Sequence, residues 1–154
     1  MEISMERDDL SRGEVRLLLR EHLEHMRSLS PPESVHALDL ERLRAADIRF
    51  WSAWAQGVLL GCGALKDLGG GAGELKSMRT TAAARGRGVG QAILLHILAE
   101  AGRAGLRRLY LETGSEPAFE PARALYRKHG FVECPPFADY RPDPNSVFMT
   151  RTLE

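Results

Sequence analysis

The sequence predicts a single α/β (α+β) domain covering residues 1–154. The first observation behind this is the order of hydrophobic periods. Stretches with the two-residue period of strands and stretches with the 3.6-residue period of helices run β-α-α-β-β-β-α-β-α-β-β. The second is size: 154 residues, 44% of them apolar, make one core of ordinary proportions. No repeat, linker or second composition class divides them. The third is a glycine-rich segment, residues 85–90, that joins a strand to a long helix.

The elements follow in order. Glu2 to Arg7 alternates, with Ile3 and Met5 on one side, and reads as a short strand. Ser11 with Glu14 is a capping box; it predicts a helix carrying Val15, Leu18, Leu19, Leu23 and Met26. Ser30-Pro31-Pro32-Glu33 is a second capping box, with proline where the N–H has no helical partner anyway. The helix it predicts carries Val35, Leu38 and Leu43 and ends near Arg44. Ile48 to Trp54 and Val58 to Leu68 form a hairpin around the turn Ala55-Gln56-Gly57. Gly69, Gly70, Gly71 and Gly73 predict a flexible loop tip before a strand from Glu74 to Thr80. A long helix is expected from about Gly88 to Gly105, with Ala92, Leu95, Leu98, Ala99 and Ala101 on its inner stripe. Arg107 to Glu112 is a strand. Glu120 to His129 is a helix closed by Gly130. Phe131 to Cys134 is a strand, 135–145 a loop, and Ser146 to Thr152 the last strand.

Bulk properties narrow the functional class. Twenty-one basic and 21 acidic residues cancel, so no global field attracts nucleic acid. No run approaches the roughly 18 apolar residues of a membrane span. The charged stretch Met1 to Arg12 lacks the apolar core of a signal peptide. A cytoplasmic location is therefore expected. Cys62 and Cys134 read as small packing residues rather than a disulfide. His22 and His25, three apart on a helix, have no third ligand in view and read as an ordinary surface or amphipathic-face pair, so no metal is expected.

The chemistry lies in Arg85-Gly86-Arg87-Gly88-Val89-Gly90. A helix N-terminus presents unpaired N–H groups and the positive end of the helix dipole, which suit phosphate oxygens. Glycine allows close approach and positive φ. Arg85 and Arg87 add charge-assisted hydrogen bonds. A P-loop needs Gly-Lys-Ser/Thr five residues after its first glycine; Gly86 is followed there by Gln91. A dinucleotide turn fails at Gln91 as well, and the repeated βαβ units are missing.

Arg85-x-x-Gly88-x-Gly90 resembles the acetyl-CoA signature of the GNAT superfamily of N-acetyltransferases, Gln/Arg-x-x-Gly-x-Gly/Ala. Glu74-Leu75-Lys76-Ser77-Met78-Arg79-Thr80 resembles that family's fourth strand. Ala122-Arg123-Ala124-Leu125-Tyr126-Arg127-Lys128-His129-Gly130-Phe131 resembles its late helix and turn. These matches cover residues 48–134. A finer likeness, to the bacterial YsnE-type acetyltransferases, runs through residues 30–38, 50–54, 61–66 and 143–150.

The resemblance implies a mixed, mostly antiparallel, splayed sheet of about six to seven strands flanked by about four helices. It implies acetyl-CoA as donor, with direct attack by a primary amine in a ternary complex. Arg85, Gly86, Arg87, Gly88, Val89, Gly90 and Gln91 would hold the pyrophosphate. The backbone of Met78, Arg79 and Thr80 would pair with the pantetheine arm, and an N–H there would polarise the thioester carbonyl. An ammonium of pKa near 10.4 lies about 4.6 kcal/mol from its neutral form at pH 7, so a base or water relay is needed. Glu74 matches the strand carboxylate that serves as base in some members. Regular alternation puts Glu74, Lys76 and Met78 on one face. Tyr126 matches the general acid that meets the leaving thiolate. Family analogy nominates His36, Trp51, Trp54, Asp139, Tyr140 and Asn145 for the acceptor pocket, with Trp51 and Trp54 on opposite faces of their strand. The acceptor is a small-molecule amine or a peptide, and the protein a monomer or homodimer. Transfer to a protein lysine or N-terminus, and a silent CoA-binding regulatory module, are the alternatives.

Overall fold

A computed structural model describes residues 1–35 and 40–153. The elements are β1 (Ser4–Arg7), α1 (Gly13–Leu29), a 3₁₀ turn (Pro32–Ser34), α2 (Leu40–Leu43), β2 (Ile48–Ala55), β3 (Val58–Gly69), β4 (Ala72–Thr80), a 3₁₀ turn (Ala82–Ala84), α3 (Val89–Arg103), β5 (Arg108–Gly114), a 3₁₀ turn (Pro117–Phe119), α4 (Glu120–Lys128), β6 (Val132–Glu133) and β7 (Ser146–Thr152). The seven strands form one sheet in the order β1-β2-β3-β4-β5-β7-β6. Only β4 and β5 are parallel, and α3 supplies the crossover that a parallel pair requires. The mixed, mostly antiparallel sheet with four helices is the predicted fold. Among the described residues no helix is long and apolar enough to cross a membrane.

Each face of the sheet carries its own core. On one, Trp51, Ile93, Ile97, Leu109, Leu111 and Phe131 pack beneath α3 and α4. On the other, Leu10, Val15, Leu18, Leu43, Phe50 and Trp54 pack beneath α1 and α2. Full burial of each such side chain contributes roughly 1.5–3 kcal/mol. Gly63 sets the spacing of the first core. A Cβ there would stand 2.8 Å from Ile93 Cγ2, 2.8 Å from Ile97 Cδ1 and 2.9 Å from Met78 Sδ, so α3 rests directly on β3.

Four expectations need correction. The predicted helix from 33 to 44 is not continuous. Val35 is extended, at φ −93° and ψ 113°, and only Pro32–Ser34 and Leu40–Leu43 are helical in the described stretches; Leu38 lies outside the described residues. Neither capping box forms. Asp9 takes the Ser11 hydroxyl and N–H, so α1 starts at Gly13 without a side-chain cap. The Ser30 hydroxyl donates to Glu116 instead. The glycine loop is shorter than predicted, since β3 reaches Gly69 and β4 begins at Ala72; Gly70 and Gly71, at φ 63° and 82°, make a two-residue turn that only such a conformation permits. The inner stripe of α3 is Val89, Ile93, Leu94, Ile97 and Ala101, while Leu95 is 46% exposed. That helix is apolar almost all round, so the fit to Gly63 chooses the stripe, not the periodicity.

Candidate active site

The site begins where the sheet opens. β4 and β5 pair only from Ala72↔Arg108 to Glu74↔Tyr110. Beyond that point β4 keeps β3 on one edge and β5 keeps β7, and their facing edges have no strand between them. Backbone N–H and C=O groups bordering such a gap are available to an extended ligand.

A bulge sharpens this opening. Lys76 pairs with Ala64, but Arg79 pairs with Cys62, so β4 carries one extra residue there. Ser77 takes φ 54°, a left-handed conformation uncommon for a side-chain-bearing residue. Its carbonyl accepts a hydrogen bond from the Cys62 thiol at 3.3 Å. The bulge breaks the alternation read from sequence. Met78 lies against Gly63 and the α3 core, opposite Glu74 and Lys76, not with them. Arg79 turns toward α1, where its Nη1 donates to His25 Nδ1 at 2.9 Å. Thr80 faces the start of α3, with its Oγ1 3.8 Å from the position of a Cβ on Gly90.

The glycine segment lies beyond the tip of β4. Gly86 and Gly88 have φ of 73° and 81°. Gly88 is the N-cap of α3, and no side chain caps the helix. The first intrahelical bond runs from Ala92 N to Gly88 O, so the N–H groups of Val89, Gly90 and Gln91 have no helical acceptor. Arg85, Gly86, Arg87 and Gly88 are exposed, while Val89 is a buried peg beneath them. Gln91 Oε1 accepts from Lys128 Nζ at 2.9 Å, which ties the start of α3 to the end of α4.

Tyr126, on α4, belongs to the core on the α3 side of the sheet and lies near enough to Glu112 on β5 to feel its charge. It is 7% exposed, packs edge-on to Phe131 at 5.9 Å, and its hydroxyl has no hydrogen-bond partner among the described residues. Burial, and then the charge of Glu112, push its pKa well above the usual tyrosine value. It therefore keeps its proton at working pH.

On the α1 side a polar network covers the strands. Glu74, 3% exposed, accepts from Tyr140 Oη at 2.6 Å and from Lys76 Nζ at 3.0 Å, both on Oε2. Lys76 Nζ also donates to Tyr140 Oη at 3.0 Å. Ser34 Oγ donates to Asp143 Oδ2 at 2.6 Å, and Asn145 Nδ2 to Ser34 Oγ at 3.4 Å. Glu112, on β5 across from this group, accepts from Ser146 Oγ at 2.8 Å. Burial raises its pKa from 4.5 to about 7, offset in part by the Ser146 hydrogen bond and Lys76 and reinforced by Glu74 and Asp143. A carboxyl held there exchanges protons near neutrality.

Of the residues nominated for the acceptor, Tyr140 and Asn145 join this network. Asp139 is exposed and borders an open cleft of about 850 Å³ shared with Lys66, Tyr110 and Phe137. Trp51 and Trp54 enter the cores on opposite faces, at 4% and 6% exposure. Trp51 meets His96 edge-on at 5.5 Å, and Trp54 Nε1 donates to Ser52 Oγ at 2.7 Å. His36 lies outside the described residues. His22 and His25 are both half-buried on α1, with His22 Nδ1 turned inward, and no metal-binding cluster forms among the described residues. Sequence reasoning missed Glu112. The signal available was an acid in register with Tyr110 on a strand otherwise rich in leucine, Arg108-Leu109-Tyr110-Leu111-Glu112.

Comparison with known proteins bears on the family and the fold. The chain is 56% identical to the uncharacterized N-acetyltransferase YsnE of Bacillus subtilis over 95% of its length and 97% of the relative's. Its fold matches an acyl-CoA N-acyltransferase-like protein of Klebsiella pneumoniae with a TM-score of 0.81 and 27% identity, over 99% and 98% of the two chains. It also matches the PaiA N-acetyltransferase of Thermoplasma acidophilum, solved in complex with coenzyme A, with a TM-score of 0.73, 17% identity and 99% of each chain covered. Residues 16–131 match the acetyltransferase (GNAT) family model; the chain belongs to the GNAT family of acetyltransferases.

Proposed function

We propose that the protein transfers the acetyl group of acetyl-CoA to a primary amine by direct attack, with Glu112 as base and Tyr126 as hydrogen-bond donor to the leaving sulfur. The observation that carries this reading is the unpaired stretch of β4 and β5, bordered by Glu112 on β5 and followed along the chain from β4 by the uncapped start of α3. Arg85 to Gln91 would hold the pyrophosphate with N–H groups and guanidinium charge. The free edge of Met78 to Thr80 would pair with the amide-bearing arm, and an N–H at the bulge would meet the negative charge building on the thioester oxygen.

Glu112 is better placed for the base than Glu74, whose Oε2 is already engaged twice. Glu112 takes the proton of the attacking ammonium. The nitrogen then forms its bond to the acyl carbon as the C–S bond breaks, and the second proton lost by nitrogen ends on sulfur. Tyr126 is coupled to this step. The Glu112 charge raises its pKa, so neutralising Glu112 makes the Tyr126 hydroxyl a stronger donor as the thiolate departs.

The test is release of free CoA thiol from acetyl-CoA across a panel of amino acids, polyamines, aminoglycosides and peptides. Turnover that falls at least about 100-fold in Glu112→Gln, and less in Glu74→Gln, supports the assignment. Tight CoA binding with no turnover across the panel would leave a binding module instead.

A further inference from the structure

The notch between α1 and the tip of β4 contains buried polar atoms with no hydrogen-bond partner among the described residues. Arg79 Nε is buried without a hydrogen-bond partner, and so are His22 Nδ1 and, two residues before Arg79, Ser77 Oγ. Each such atom loses its hydration with no return. Arg79 also has no carboxylate partner among the described residues. Its side-chain hydrogen bond there is to His25 Nδ1, which accepts from Nη1 and so must be neutral. Arg85 adds to the positive field, and Glu21 opposes it from a distance. A partly buried guanidinium whose Nε–H has no acceptor is an arrangement that proteins avoid unless an anion completes it.

The position of the notch says which anion. Arg79 follows the Ser77–Met78 bulge directly, on the face of the sheet that also holds Glu74, Lys76 and Tyr140. The opposite face, under α3, receives Met78 and Thr80. Arg79 therefore lies on the side from which an acceptor would meet the thioester. The carboxylates Glu112, Glu74 and Asp143 suit the ammonium of such a molecule. Arg79 Nε, His22 Nδ1 and Ser77 Oγ have no partner among the described residues.

We propose that this notch binds a carboxylate of the acceptor, so that the favoured substrates are amines carrying an acid group, amino acids and molecules like them. A planar carboxylate would receive the Nε and Nη hydrogens of Arg79 side by side, with His22 and Ser77 closing around it. The inference rests on the reading of the chain as an acetyl-CoA-dependent amine acetyltransferase, and deepens it.

The experiment compares each of a panel of amino acids with its own carboxamide, which keeps the amine and removes the charge. In the native protein kcat/KM for the acid exceeds that for the amide by at least about tenfold. Arg79→Gln brings that ratio close to one. Arg79→Lys, which keeps the charge but lacks Nε–H, also lowers it and serves if the glutamine variant unfolds. Arg103→Gln, on the exposed end of α3, leaves the ratio unchanged. Equal use of acids and amides by the native protein overturns the proposal. A rise in the KM for acetyl-CoA in Arg79→Gln with the ratio intact overturns it too, since the anion is then a donor phosphate. Calorimetry on the protein–CoA complex gives an arm independent of turnover: binding of acids over amides supports the notch even where no acetylation occurs, which would count against the proposed function alone. Absence of that difference sinks the notch.

Discussion

Replacing Glu112 with glutamine separates its cost to the fold from its use in chemistry. In the folded chain its pKa rises from 4.5 to about 7, chiefly through burial. At about 1.4 kcal/mol per pH unit, this corresponds to about 3 kcal/mol against the charged form. The sign follows from the direction. A carboxyl whose folded pKa is raised favours the fold while protonated, so its contribution is intact below pH 4.5 and is lost as pH rises through about 7. Glutamine keeps an oxygen to accept the Ser146 hydroxyl but never ionises. Urea unfolding should therefore show Glu112→Gln more stable than the native protein at pH 8.5, by up to about 3 kcal/mol, and little different at pH 4.5. Activity should move the other way. Native kcat/KM should climb with pH through an apparent pKa near 7, and the variant should lose that limb along with two to three orders of magnitude in rate. A variant that retains the limb, or that is less stable than the native protein at pH 8.5, would refute this account of Glu112.

Tyr126→Phe should lower kcat by about 10- to 100-fold with little change in the KM for acetyl-CoA, because the buried ring keeps its packing against Phe131 and only the hydroxyl is lost; steady-state thiol release checks this. Gly88→Ala should cost about 1 kcal/mol in urea unfolding and raise the KM for acetyl-CoA, since φ at this position is 81°. Gly90→Ala should be tolerated, because its Cβ would meet only Leu125 at 3.5 Å and Thr80 at 3.8 Å. Burial, with help from Arg79, lowers the His22 pKa to about 4. Stability should then fall as pH drops from 6.5 toward 4, where the unfolded chain gains a proton that the fold refuses, and His22→Gln should flatten that slope in pH-dependent unfolding.

The donor side of the site was legible because its physics is local. Positive φ, a helix start and a backbone anion cradle all lie within Arg85 to Gly90, so residue type alone carries them. The spacing of Tyr126 before Gly130-Phe131 is equally local. The acceptor side depends on which strands meet. Glu112 becomes a candidate base only because the folded chain buries it beside β7, and its partner Ser146 is 34 residues away. The bulge at Ser77 carries no glycine or proline to announce it, so strict alternation put Met78 on the wrong face. The capping boxes failed for a related reason. The hydroxyls of Ser11 and Ser30 had competing acceptors, Asp9 and Glu116, and a short motif cannot reveal a competitor 86 residues away.

The pairing of Glu74 with Lys76 gives Glu74 a part distinct from that of a base. Lys76 lowers the Glu112 pKa and Glu74 raises it. The two charges, 3.0 Å apart, act on Glu112 in opposite directions, while burial is the largest influence and the Ser146 hydrogen bond the next. Removing one exposes the other. Glu74→Gln leaves the Lys76 charge unopposed, so the Glu112 pKa should fall and the acid limb of kcat/KM should shift to lower pH while persisting. Loss of the Tyr140 hydrogen bond would be limited, since the glutamine amide oxygen can still accept it. If Glu74 were itself the base, the same substitution would remove the limb altogether and Glu112→Gln would keep it. The two pH profiles thus assign the proton acceptor without a bound acceptor in hand, because a tuning charge moves a titration and a base abolishes it.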